Sequence, residues 1–352
     1  VLAFQLVLAA NTKKPPAHGG SPRWPDGVSA ARQEVGFARR RVYAAHPKPD
    51  GPITLTPVRL ATWNVNSAKA RQFRLIDWLD RAQPDVAFLQ ETKLGDADFD
   101  ALFADDLFRR DYRYAHVGQG RWNGVAIVSK VGLDDVAVGL GPAAGPLGEE
   151  ARAVGATCGG LRVWSVYVPN GRTIDDPMYQ AKLTWLGALA DEVAAAVPKG
   201  PFVVAGDFNI APADVDVWDP SVFIGATHVT GPERAALDRL KELGLVDLVR
   251  ERWPVEVPVF SYWDYRAGAF HQDLGMRIDL LLGTPAVASR LKAAYTDRAA
   301  RKGKDPSDHA PVIVDLDEAP DGDIGPVVPP PSLKGSSAKG ARPTRRSSAA
   351  SG

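Results

Sequence analysis

Phe202-Val203-Val204-Ala205-Gly206-Asp207-Phe208-Asn209 is the stretch on which the reading of this chain turns. Residues 202–205 are apolar and valine-rich, the pattern of a short buried strand. The run stops at a glycine and then delivers an aspartate and an asparagine. Polar side chains set at the end of an apolar strand are placed by a rigid sheet, which is how a precise site is built. Alone, the segment has a plainer account, because Asp and Asn side chains bond their own backbone two residues on and simply make a turn.

The same arrangement recurs on both sides of it. Asn64 follows a strand that begins at Val58. Glu91 follows the run 86–89, and Tyr167 closes the run 161–168 and leads into Pro169-Asn170-Gly171. Asp279 lies inside the run 278–282, and Asp308-His309 precede the run 311–316. A further apolar run covers 124–128. Helical spacing appears at Lys69–Ala82, with Phe73, Ile76 and Leu79 on one face, and at Tyr179–Val197, with Leu183, Leu186, Leu189 and Val193. A shorter helix is expected at Ala235–Leu243. Strands and helices interleave from 58 to 318, which predicts one α/β domain with sheets inside and helices outside.

The flanks differ in composition. Residues 1–57 are broken by Pro15-Pro16, Pro47, Pro49, Pro52 and Pro57, and are expected to be loosely ordered. One hypothesis for this segment is that translation begins near Val58. Residues 319–352 form a Pro/Ser-rich basic tail containing Pro329-Pro330-Pro331. Formal charge is zero over 352 residues, but it is unevenly spread. Residues 1–57 carry eight Lys/Arg against three Asp/Glu, and 321–352 carry five against two, so the body is acidic. An acidic body suits a carboxylate-lined metal site, and basic flanks can touch a polyanion. The single cysteine, Cys158, excludes an internal disulfide and a cysteine-rich zinc site, and is expected to fill core space. The apolar start, 1–10, is too short to span a bilayer, so a soluble, cytoplasmic protein is expected.

Hard divalent ions take oxygen ligands, and Glu91, Asp207, Asp308 and the amide oxygens of Asn64 and Asn209 are of that kind. His309 beside Asp308, with Asp279 on another strand, suggests an Asp–His pair in which the carboxylate fixes the tautomer and raises the imidazole pKa. Each residue has a structural alternative: Asn64 and Asp308 as caps, Asp207 and Asn209 as an Asx turn. Those alternatives leave unexplained why polar groups end four or five separate core strands.

Trp63-Asn64-Val65-Asn66, Gln90-Glu91-Thr92-Lys93, Asn123-Gly124-Val125-Ala126-Ile127, Tyr167-Val168-Pro169-Asn170-Gly171, Gly206-Asp207-Phe208-Asn209, Tyr262-Trp263-Asp264-Tyr265-Arg266, Arg277-Ile278-Asp279 and Ser307-Asp308-His309-Ala310-Pro311 stand in this order. Together they resemble the exonuclease III branch of the endonuclease/exonuclease/phosphatase superfamily, over about 58–318. The resemblance implies a DNase I-like fold, a four-layered α/β sandwich of two packed mixed sheets flanked by helices. It implies a Mg²⁺-dependent nuclease, with Mn²⁺ as a substitute, that acts as a monomer on double-stranded DNA. The reaction implied is hydrolysis 5′ to an abasic site, with removal of nucleotides or blocking groups from 3′ ends as a second activity.

Roles follow by the same resemblance. Asn64 and Glu91 look like ligands of the main metal, with Asp308 nearby or bridging through water. Asp207 looks like the group that orients or deprotonates the attacking water, and Asn209 like the residue that holds that water or a phosphate oxygen. His309, oriented by Asp279, would donate to a phosphate oxygen, and Tyr167 would contact the phosphate or assist the leaving group. Asp207, Asn209 and His309 are also candidate metal contacts. For DNA binding the candidates are Arg152, Arg172, Lys182, Tyr262, Trp263, Arg266, Met276 and Ile278. Tyr262, Met276 and Ile278 fall where the family forms a small pocket for a baseless sugar. The competing readings are a different phosphatase or phosphodiesterase of the superfamily and an inactive DNA-binding module. The Gln90–Lys93 and Tyr262–Arg266 segments argue against the first, and the retained acidic residues and His309 against the second.

Overall fold

The chain alternates short apolar strands with amphipathic helices, and the computed structural model, which describes residues 59–317, pairs those strands into two sheets. The expectations for 1–57 and 319–352 lie outside the described residues. In chain order the elements are β1 (Arg59–Asn64), α1 (Gln72–Ala82), β2 (Val86–Gln90), α2 (Asp96–Phe108), β3 (Arg113–Gln119), β4 (Trp122–Ser129), β5 (Asp134–Val138), β6 (Ala153–Cys158) and β7 (Leu161–Tyr167). They continue with α3 (Pro177–Ala196), β8 (Phe202–Asp207), α4 (Gly231–Glu242), β9 (Val246–Asp247), α5 (Leu248–Arg252), α6 (Ala269–Gln272), β10 (Asp279–Gly283), α7 (Pro285–Ala288), β11 (Leu291–Thr296) and β12 (Val312–Leu316).

One six-stranded sheet has the order β11-β12-β1-β2-β4-β3, and the other β5-β6-β7-β8-β10-β9. Both are mixed: β1 pairs parallel with β2 and β7 with β8, while β12 and β10 run antiparallel to their neighbours. Side chains alternate across a strand, so each strand here feeds two apolar clusters. Leu60, Phe88 and Ile127 of the first sheet join Val163, Val203 and Leu281 of the second in one buried cluster between the sheets. The opposite faces pack on helices. Trp63 and Leu89 meet Leu75 and Trp78 of α1 and Phe99 and Phe103 of α2. Trp164, Val204 and Leu280 meet Trp185, Leu189 and Val193 of α3 and Leu237 of α4. Each fully buried large apolar side chain contributes roughly 1.5–3 kcal/mol, so the clusters hold the sheet ends in a fixed relation. No helix among the described residues is long and apolar enough to cross a membrane.

The face of α1 differs from expectation. Phe73 is 87% exposed, and Leu75, Trp78, Leu79 and Ala82 are the buried set. The helix also begins at Gln72 rather than Lys69. The preceding loop is held to the end of β2 by the Ser67 and Ala68 N–H groups, which donate to Glu91 O (2.8 Å) and Thr92 O (2.9 Å). That anchorage delays the helix and turns its apolar stripe toward Trp63.

Candidate active site

The alternation that fills the inter-sheet core with Leu60, Val163, Val203 and Ala205 carries on to the strand ends, where the same face presents Asn64, Tyr167 and Asp207. Asp279 starts β10 directly opposite Asp207, and Tyr167 pairs with Asp207 on the other side. Gly206 is required here, since a Cβ at that position would lie 1.9 Å from Val166 O. The core strands therefore deliver their polar residues to one end of the space between the sheets.

Asn64 is the hub. Its Nδ2 donates to Glu91 Oε1 (2.9 Å) and to Asp207 Oδ2 (2.9 Å), so the two carboxylates converge on one amide. Its Oδ1 accepts from Asn66 N (3.0 Å), a local turn. Glu91 sits at φ 51 and also accepts from the Tyr167 hydroxyl (2.9 Å). Burial works against the charge of Glu91, but Lys93, 2.6 Å away, and the Asn64 amide outweigh it and hold the carboxyl below its usual range. Asp308 accepts from Asn66 Nδ2 (3.0 Å).

His309 Nδ1 lies 2.8 Å from Asp279 Oδ2, and His309 Nε2 lies 3.8 Å from Asp207 Oδ2. Burial disfavours the imidazolium, but Asp279 and Asp207 more than offset it and lift His309 to about 10. Asp207 is pushed up to about 7, first by burial and then by Asp279, against the pull of His309. The Tyr167 hydroxyl is buried beside Glu91 and Asp207 and is held well above its usual value. The Asp–His pair read from the sequence is thus formed. The Asx turn is formed too: Asn209 N donates to Asp207 Oδ1 (2.9 Å). Turn and site are the same residues.

Ligand atoms of Asp207, Asp279 and His309 lie within 4.8 Å of one another, a spacing suited to a divalent cation. A protonated imidazole has no lone pair to give, so a hard cation fits best on the oxygen side of the site, toward Glu91. Around these groups is a cleft of about 340 Å³. One end is charged, and the other is walled by Phe223, Tyr262, Met276 and Ile278. The Tyr262 ring stands edge-on to His309, with centroids 4.9 Å apart.

A model of the endonuclease/exonuclease/phosphatase family matches residues 61–309. The chain belongs to that family. An exodeoxyribonuclease of Bacillus subtilis (strain 168) is 30% identical over 257 residues, covering 72% of this chain and 98% of the relative. Two solved structures superpose with a TM-score of 0.70, each covering 74% of this chain and all of its own. One is a 3′ phosphatase from Neisseria bound to a product DNA hairpin, 37% identical, and the other an AP endonuclease from Archaeoglobus fulgidus, 34% identical. Family and fold are those of exonuclease III-like and AP endonuclease-like phosphodiesterases.

Several residues expected to touch DNA lie elsewhere. Lys182 is fully buried, because Glu233 pairs with it at 2.5 Å inside the domain. Trp263 is likewise buried, packed against Phe260 and Phe270. Its loop turns inward where Trp263 N donates to Asp308 O (2.9 Å). Trp263→Ala is expected to cost about 3–5 kcal/mol in denaturant unfolding, the signature of a core residue. Arg152 lies over the Tyr167 ring (4.9 Å) and pairs with Glu150 (2.5 Å), supporting the site from behind. Ile278 is buried in the cleft wall. Arg172 and Arg266 are on the surface, bonded to Asp176 and Asp264. Lys93, Asn66 and Asn170 belong to the quoted motifs but carry no role in the sequence reading, and Phe223, at the end of a single 3₁₀ turn (Pro220–Phe223), and His228, in the loop after it, offer no pattern.

Proposed function

We propose that this chain is a Mg²⁺-dependent DNA phosphodiesterase of the exonuclease III type, hydrolysing the bond 5′ to an abasic site and clearing 3′ ends. The observation that carries the reading is His309, bonded to Asp279, and a buried Asp207 facing each other, with Glu91 beside them, in a cleft whose far end is apolar. Glu91, Asn64 and Asp308 would hold the ion. The ion would neutralise phosphate charge and help the leaving 3′ oxygen.

Asp207 accepts the proton of the attacking water. His309, kept protonated by Asp279, donates from Nε2 to a non-bridging oxygen as negative charge grows there. The Tyr167 hydroxyl, held protonated by burial, is a donor beside Glu91 and reaches the phosphate or the leaving oxygen. Asn209 holds Asp207 through its backbone N–H. Tyr262, Met276 and Ile278 would receive a sugar that has lost its base, and a baseless nucleotide costs little to extrude. The apolar clusters on both faces of each sheet support a four-layered sandwich. Double-stranded DNA is the proposed partner, bound by a monomer.

A second reading puts 3′-end processing first. It is favoured by His228, a polar ring that shares the cleft wall with Tyr262 and Met276, and by the names of the exodeoxyribonuclease and 3′ phosphatase relatives. The test uses a duplex with one tetrahydrofuran abasic analogue and a duplex with a recessed 3′-phosphate, each with Mg²⁺ or with EDTA. Metal-dependent incision 5′ to the analogue supports the first reading. Phosphate release or trimming with little incision supports the second. Cleavage of neither substrate would end both.

A further inference from the structure

Behind Asn209 lies a buried ion pair that the proposed chemistry does not use. Lys182 of α3 and Glu233 of α4 are both fully buried. The Lys182 ammonium donates to Glu233 Oε1 (2.5 Å), to the backbone oxygen of Asn209 (2.8 Å) and to that of Asn170 (3.4 Å). Glu233 Oε1 also accepts from Thr227 Oγ1 (2.7 Å) and His228 N (2.9 Å). Glu233 Oε2 accepts from Thr230 N (3.1 Å) and Oγ1 (2.8 Å). One pair thus grips three separate segments: 169–171, 208–210 and 227–230.

What it grips is strained backbone. Asn209 has φ 50 and His228 φ 84, both in the left-handed region. Such residues persist only when their surroundings over-determine them. The side chains at these positions are joined as well. Asn170 Nδ2 donates to Asn209 Oδ1 (3.2 Å) and to His228 Nε2 (3.2 Å), and all three residues line the cleft. Asn209 in turn holds Asp207. A well-packed apolar pair would fill the same space without the cost of burying two charges. Packing alone therefore leaves the pair unexplained, and its bonds to the cleft-lining turns supply the reason.

We propose that Lys182 and Glu233 are positioning residues that set the Asn170–Asn209–His228 wall of the cleft, and through Asn209 the orientation of Asp207. This rests on the reading of the cleft as a phosphodiesterase site. The neutral pair Lys182→Met with Glu233→Gln tests it in the full chain. Met removes the ammonium, while Gln keeps an acceptor for Thr227 and His228 N, gives up the one for Thr230 N, and leaves no buried charge unpaired. Its thermal midpoint reports whether the domain still folds.

With Mg²⁺ and the tetrahydrofuran and 3′-phosphate duplexes, kcat is expected to fall about 10- to 100-fold, the usual effect of losing a supporting contact behind a site, with KM changed less than about threefold. In an Asn209→Ala background, which lacks the Asn170–Asn209 side-chain bond but keeps the Asn209 N–H on Asp207, the neutral pair should add less loss than it causes in the parent. A kcat equal to the parent's, or full additivity with Asn209→Ala, would overturn the proposal. A crystal structure of the neutral-pair variant tests the same point without recourse to activity. Asn209 leaving the left-handed region, or the loss of its bond from Asn170, supports positioning. An unchanged wall refutes it even if the parent cuts no DNA, an outcome that would separately sink the phosphodiesterase reading.

Discussion

Asp207→Asn is expected to lower turnover on the preferred duplex by about 10²–10⁴-fold, the range for removing a general base, while leaving the fold intact. The substitution is nearly isosteric. The Asn oxygen can still accept from Asn209 N, the contact now made by Oδ1 at 2.9 Å. What is lost is the proton acceptor, and with it the oxygen that accepts from Asn64 Nδ2 (2.9 Å). Burial sets Asp207 near 7, with Asp279 adding to the rise and His309 opposing it. At that value the carboxylate can take a proton from water around neutral pH and give it up again.

The same shift predicts the stability result. A carboxyl whose folded pKa lies above its unfolded value destabilises the fold once pH exceeds the unfolded value, because the unfolded chain loses its proton first. Without metal, Asp207→Asn should therefore melt at or above the parent temperature at pH 8. Thermal unfolding in EDTA and single-turnover cleavage in Mg²⁺ check the two halves. Cleavage within a few-fold of the parent would remove Asp207 from the role of base. A large drop in melting temperature would instead make its contribution structural.

The legible parts of this molecule are those where one strand does two jobs. Phe202–Asp207 shows it best: its apolar residues mark a buried strand, and its terminal polar residues mark a site. The same holds for Asn64, Glu91, Tyr167, Asp279 and His309, all placed at one end of the inter-sheet space. β3, β6 and β11 escape the sequence reading because their patterns are weak. Arg113–Gln119 carries Arg, His and Gln among its apolar residues, Ala153–Cys158 is built from small side chains, and Leu291–Thr296 has a lysine as its second residue. α2 escapes as well, its five aspartates masking the buried Phe99, Phe103 and Leu107.

Two of the DNA-binding assignments fail for a different reason. Lys182 and Trp263 have the right chemistry for nucleic acid, but sequence gives no depth. Whether a lysine on a helix meets solvent or a buried glutamate 51 residues away is decided by how α3 and α4 pack. Phe223 reaches the cleft from a single 3₁₀ turn and His228 from the loop after it, where the Glu233 carboxylate holds His228 N, and no periodicity could announce them.

Glu233→Gln alone, with Lys182 left in place, is expected to destabilise the domain by about 3–5 kcal/mol, the cost of leaving one buried charge without its partner. The introduced amide oxygen can still accept from Thr227 and His228 N, but its nitrogen faces Thr230 N, so the loss combines the orphaned charge with one bond at the start of α4. Lys182 has no route to water, being fully buried between α3 and α4. Adding Lys182→Met should recover most of the loss, because the orphaned charge is then gone.

The parent should show the matching pH dependence. Burial tends to raise the Glu233 carboxyl, but Lys182 and the Thr227 hydroxyl outweigh it and bring it down to about 2 from an ordinary 4.5. A depressed carboxyl contributes stability that is complete above 4.5 and is lost as pH falls toward 2. The contribution changes by about 1.4 kcal/mol per pH unit within that window. Urea unfolding between about pH 5 and pH 2 should therefore show a steeper acid limb in the parent than in the variant carrying both Lys182→Met and Glu233→Gln. Equal limbs would mean that the pair is not charged in the folded state, and the large penalty for Glu233→Gln would then be absent as well.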